Sequence, residues 1–187
     1  MDKLLIEKEY SSLRDEIMKW QDRRIVFSQI ALTLVIAYTG YLVSKDIKEV
    51  SALSWQVVSI LPLLILSITI HITKLFELFQ VRAAAFLVIF YDTNWEKNVG
   101  EKGVSLSTGT WTLGYNKSMA IVYLIVALGT IFIFTQKYPT SFSLLETIVF
   151  SIVAIAFLVV VLRLFMFKST EKKKEFLEGW RQIKNNQ

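Results

Sequence analysis

The residues able to do chemistry are few in this chain, and their spacing narrows what they could do. There is no cysteine and one histidine, His71, in 187 residues. Disulfides, thiolate nucleophiles and sulfur-ligated metals are thereby excluded, and a histidine-based metal site within one chain is not expected. Glu77, Asp92 and Glu96 are dispersed; Asp92 and Glu96 stand one helical turn apart, but no histidine sits beside them. Without converging acid, base or metal ligands, the chain is not expected to be an enzyme or to hold a cofactor. Four of the seven glycines fall between Gly100 and Gly114 among Ser and Thr, so 99–116 reads as the main irregular segment. No Gly-Lys-Ser/Thr ending follows, so its likeness to a phosphate loop is superficial.

Two patterns remain. Gln56, Ser67, His71 and Lys74 fall within a sector of about 60° at roughly 100° per helical residue. Such a stripe either hydrogen-bonds between helices inside a bundle or lines a pathway in an oligomer. Trp95, Trp111 and Trp180 form the second pattern, as aromatic docking positions for a partner protein or for the headgroup interface. Stacking on a nucleobase is the weaker reading, and a net charge of +5 is small for a nucleic-acid binder, so direct nucleic-acid binding is not expected.

The elements that must position these residues follow from composition. Hydrophobic residues make up 53% of the chain and charged ones 20%, and the charges sit in blocks between long apolar runs. That is the patterning of a membrane protein. Residues 25–43 are nineteen positions without a charge, enough to cross a hydrocarbon core of about 30 Å at roughly 1.5 Å per residue. The further spans are 55–73, which contains Pro62, then 118–136 and 142–167. Pro62 removes a backbone donor and is expected to kink the helix, which membrane helices tolerate when neighbours or hydroxyls satisfy the freed carbonyl. Glu146 and Arg163, near opposite ends of the fourth span, read as snorkelling residues.

Between and around the spans lie three charged stretches. In 1–24, Ile6, Tyr10, Leu13, Ile17 and Trp20 repeat at four-three spacing, a narrow seam on an amphipathic helix that passes into the first span without a turn residue. Acids and bases alternate through this stretch, so it does not read as a signal peptide. Apolar character continues past Lys74, and one helix from Trp55 to Tyr91 would far exceed a bilayer, so 74–117 is expected to enter the cytoplasm. The run 81–91 fits either helix or strand by periodicity, with helix favoured. The tail, 168–187, places Phe176, Leu177, Trp180 and Ile183 at helical spacing behind three lysines, and its expected partner is the N-terminal seam.

The loops at 44–54 and 137–141 hold three lysines between them, while the three charged stretches hold nearly all other Lys and Arg. The expectation is an all-α protein of one membrane domain, with four transmembrane helices in two hairpins. Amphipathic helices lie at both termini and between the hairpins, all on the cytoplasmic side of the membrane.

The run Leu4-Leu5-Ile6, Glu9-Tyr10-x-x-Leu13-Arg14-x-Glu16-Ile17, with the later Asn94-Trp95-Glu96, resembles small bacterial integral membrane proteins over about half the chain. In size and architecture the chain is more loosely similar to membrane effectors of antiphage systems, the SLATT group and the membrane subunit of Kiwa. That resemblance implies a homo-oligomer that perturbs the inner membrane when a cytoplasmic partner or signal reports infection. The alternative from the residues alone is a non-conducting anchor or scaffold that docks a cytoplasmic partner.

Cysteines introduced at Asp46 and Thr140 of this cysteine-free chain are expected to react with an impermeant maleimide on intact spheroplasts, and cysteines at Ser12 and Gln182 are not. The reverse labelling pattern overturns this topology.

Overall fold

The structure, a computed structural model, describes residues 3–45, 53–91, 115–140 and 143–186. Among them are five α-helices and no strand: α1 (Lys3–Ser44), α2 (Trp55–Phe90), α3 (Tyr115–Lys137), α4 (Leu144–Phe165) and α5 (Ser169–Asn185). The first four are long and apolar enough to cross a membrane. At 42 and 36 residues, α1 and α2 have about twice the roughly 20 that a crossing needs. The run from Val81 onward, ambiguous by periodicity, is helical to Phe90.

The chain divides into two compact units. The apolar unit takes Val26–Ile72 and Tyr115–Phe167; the charged unit takes Met1–Ile25, Thr73–Gly114 and Lys168–Gln187.

In the apolar unit each helix buries a stripe at three-four spacing. Ser28, Ala31, Val35, Thr39 and Leu42 do so on α1, Gln56, Ser59, Leu63, Leu66 and Ile70 on α2, and Ala120, Tyr123, Ala127, Thr130 and Phe134 on α3. On α4 the stripe is Phe157, Val161 and Leu164. The other faces are equally apolar yet open: Ile36, Ile125 and Phe132 are each more than 60% exposed. Helices apolar all round are what lipid requires, and alanines in the inner stripes allow close backbone approach. Leu63, Leu66 and Ile70 of α2 pack with Val35, Tyr123, Phe157 and Leu164 in one apolar cluster.

Polar contacts fix which helix meets which. Tyr123 on α3 donates to Ser28 Oγ on α1 at 2.8 Å in a buried bond. Ser54, just before α2, donates to Glu146 Oε2 in the first turn of α4 at 2.8 Å, and Trp55 packs edge-on against Phe150. Glu146 is therefore tied to another helix, where the sequence had it reaching for headgroups. Helices α3 and α4 pack against each other directly.

Backbone carbonyls account for the rest. Pro62 has no N–H to give Val58, four residues earlier, and the Tyr38 hydroxyl of α1 donates to the Val58 carbonyl at 3.3 Å. The last turn of α1 leaves carbonyls with no intrahelical partner. Ser44 donates to that of Tyr41 at 2.8 Å, Tyr138 to that of Leu42 at 3.0 Å, and Lys137 Nζ to that of Val43 and, at 2.7 Å, to that of Lys45. Two of these donors come from the end of α3 and the residue after it, so the C-terminal ends of α1 and α3 are bonded together.

Replacing Tyr38 by Phe is expected to cost about 1 to 3 kcal/mol in thermal unfolding, because a buried carbonyl loses its donor. In a Pro62→Ala background the new N–H supplies that donor, and the same replacement should cost clearly less. Equal costs in the two backgrounds would show that Tyr38 does not serve the proline.

Candidate functional site

The charged unit is assembled around α2 beyond Thr73, to which both amphipathic stretches attach. From α1, the Trp20 ring lies 5.3 Å from Phe76 and 5.5 Å from Phe79, with the Arg23 guanidinium 5.0 Å from its face. Tyr10 meets Tyr91 at 5.8 Å. From α5, the Trp180 ring meets Phe86 edge-on at 5.2 Å and Phe90 at 6.2 Å, and Lys184 Nζ donates to the Ile89 carbonyl at 2.7 Å. That carbonyl is in the last turn of α2, so Lys184 performs for α2 the service that Lys137 performs for α1. The sequence paired the N-terminal seam with the tail. In the structure the Trp20 and Trp180 rings both meet α2, and Ile183, expected in the seam, is 47% exposed.

Electrostatics within this unit centre on Arg24 and Glu77. Arg24 Nη1 stands 3.4 Å from Glu77 Oε2, with side chains only 11% and 8% exposed. Withdrawing two charges from water costs several kcal/mol each, so such a pair is better suited to fixing register between helices than to adding stability. The sequence treated Glu77 as one scattered acid. A signal was present: Glu77 continues the interior series Gln56, Ser59, Leu63, Leu66, Ile70, Thr73, all buried. Tyr91 hydrogen-bonds Glu9, and its phenol is held above its ordinary pKa first by desolvation and then by the Glu9 carboxylate.

No family model, curated protein or solved structure matches this chain.

The sequence-read stripe is divided by the structure. Gln56 is buried at 4% exposure in the apolar unit. The Ser67 hydroxyl is half-buried and donates to the Leu63 carbonyl at 2.7 Å within its own helix. His71 is exposed, and Lys74, in the charged unit, is half-buried. At about 100° per residue the stripe lies roughly 80° from the centre of the buried face of α2, so it flanks that face. Trp95 and Trp111 lie outside the described residues. Trp180 is half-buried against α2, and no acceptor among the described residues bonds its indole Nε1. Among the described residues no three metal-ligating side chains converge.

The charged unit carries a concave surface feature. Arg82 of α2 and Glu175, Phe176, Gly179, Trp180 and Ile183 of α5 line an open cleft of about 190 Å³. The Arg82 guanidinium lies 5.6 Å from the Trp180 ring centroid.

A double-mutant cycle between Trp180→Ala and Phe86→Ala should return a coupling of about 0.5 to 1.5 kcal/mol, the worth of an aromatic pair beyond its area. A cycle between Trp180→Ala and Trp20→Ala should return close to none. Strong coupling in the second cycle and none in the first restores the pairing that the sequence suggested.

Proposed function

We propose that this chain is a multi-pass inner-membrane anchor that presents a folded helical surface to a cytoplasmic protein partner. What carries the reading is the charged unit. Its basic and aromatic residues are not loose flanks of the spans, because Trp20, Tyr10 and Trp180 are each packed on α2 and both ion-paired and capping contacts hold them there. A chain that needed only to be retained in a membrane would not require that order, whereas a docking surface does.

In this reading the apolar unit forms two hairpins, α1 with α2 and α3 with α4. An even number of crossings then puts the N-terminus, the middle segment and the tail on one side, and the excess of Lys and Arg in those stretches makes it the cytoplasmic side. The exposed apolar faces meet lipid and further copies of the chain.

A second reading is supported by His71, exposed on α2 with no bond to another described residue. In an oligomer that imidazole could face another copy, as an effector of antiphage type that permeabilises the membrane would use it. The interior of one chain is filled at mid-helix by Leu63, Leu66 and Ile70, so any such pathway runs between copies.

Ion flux from vesicles holding the purified protein, with and without cytosolic extract, separates the two. The anchor reading expects no flux in either condition, with His71→Leu and Lys74→Glu indistinguishable from the parent. Flux that appears with extract and changes its anion or cation preference in Lys74→Glu overturns it in favour of the effector.

A further inference from the structure

The cleft beside Trp180 lies wholly within the charged unit, and its shape and charge specify an occupant. Its volume of about 190 Å³ falls below the roughly 300 to 1,000 Å³ of pockets that hold cofactor-sized ligands, so it suits a single large side chain. The walls are the Trp180 ring, Phe176 and the half-exposed Ile183.

Gly179 forms part of the cleft wall. This glycine sits inside α5, where glycine costs about 1 kcal/mol relative to alanine. A Cβ built on it would meet nothing within 4 Å among the described residues, so a larger side chain there would occupy open space at the cleft.

Charge at the rim is equally specific. The Glu175 carboxylate is held by Lys172 Nζ at 2.6 Å. Arg82 is exposed, its guanidinium 5.6 Å from the Trp180 ring centroid, and it makes no ion pair among the described residues, although Glu175 lines the same cleft. The planar fork of a guanidinium matches a carboxylate with two parallel bonds. An anionic lipid could also reach Arg82. Lipid insertion of α5, however, would need the apolar face of the helix, and Trp180 has already committed its ring to Phe86 and Phe90.

We propose that this cleft is the recognition site for an acidic segment of a partner protein, which inserts one large apolar side chain beside Gly179 and sets a neighbouring carboxylate on Arg82. The proposal rests on the anchor reading and names the chemistry of the partner. Anchors of this kind, one side chain in a pocket with a charged contact at the edge, carry most of the binding energy in small interfaces.

The test uses the full-length protein in detergent and fluorescein-labelled helical peptides. Each carries one Leu, Phe or Trp anchor flanked one turn away by Glu, or by Lys in a matched series. Anisotropy titration should show saturable binding of the Glu series and about tenfold weaker binding of the Lys series. Gly179→Leu should weaken the Glu series about thirtyfold while leaving the melting temperature unchanged or higher, since the new side chain fills open space. Ile183→Gln, at the opposite wall, is a second cleft variant and should also weaken binding. Arg82→Gln should abolish the Glu-over-Lys preference yet retain the anchor. Equal binding of both series, no saturable binding at about 1 mM, or Glu-series binding that survives Gly179→Leu and Ile183→Gln overturns the proposal. So does displacement of the peptide by a short-chain anionic phospholipid whose own binding is lost in Gly179→Leu, which would make the cleft a lipid site. None of these outcomes bears on ion flux, so the anchor reading stands or falls separately.

Discussion

Carbonyl oxygens govern this structure more than apolar contact does. A helix in hydrocarbon can find apolar neighbours on any side, but a carbonyl without a donor costs several kcal/mol there. The chain creates such carbonyls at Val58, by placing Pro62 four residues later, and at the end of α1. It answers with side chains from other helices: Tyr38 for Val58, Tyr138 for Leu42, Lys137 for Val43 and Lys45. Each bond is directional, so it sets rotation and height as well as proximity. Leucine packing alone would tolerate a slip of one helix along another.

The charged unit solves a different problem with the same device. Water can satisfy its carbonyls, so aromatic packing carries the association and Lys184 on the Ile89 carbonyl marks where α5 must stop along α2. Arg24 and Glu77 act similarly between α1 and α2. The unit thus contains a pair that specifies position at some energetic cost, and rings that supply the stability.

The spans were legible because length and charge avoidance suffice to find them, as in the nineteen uncharged residues from Ile25 to Val43. Which face of each span turns inward was not, for the same reason: the spanning stretches of α1, α3 and α4 are largely apolar all round, and only a weak bias toward small residues distinguishes Ala31 or Ala127 from the open Ile36 or Ile125. On α2 the polar residues were a partial guide. Gln56 is interior, but Ser67 bonds its own backbone and His71 is exposed, while the buried hydroxyls are those of Ser59, Thr69 and Thr73. The amphipathic seams were legible as apolar from their spacing, but periodicity does not record which helix a seam meets, and the rings of Trp20 and Trp180 both meet α2 beyond Thr73. That Pro62 frees a carbonyl followed from covalent chemistry alone; that the Tyr38 hydroxyl answers it required the fold.

The lysine that closes α1 has a consequence for how the protein is made. Lys137 and Tyr138 lie 92 to 96 residues after the carbonyls they bond. At a synthesis rate of about 5 to 20 residues per second, the end of α1 waits roughly 5 to 20 s for its donors to emerge. During that interval the first two helices are a half-built bundle, with ends that only water, headgroups or the insertion machinery can satisfy. The timing of translation is therefore part of the assembly, and a ribosomal pause between the second and third helices would prolong the stage at which the nascent chain is most open to misassembly or proteolytic clearance.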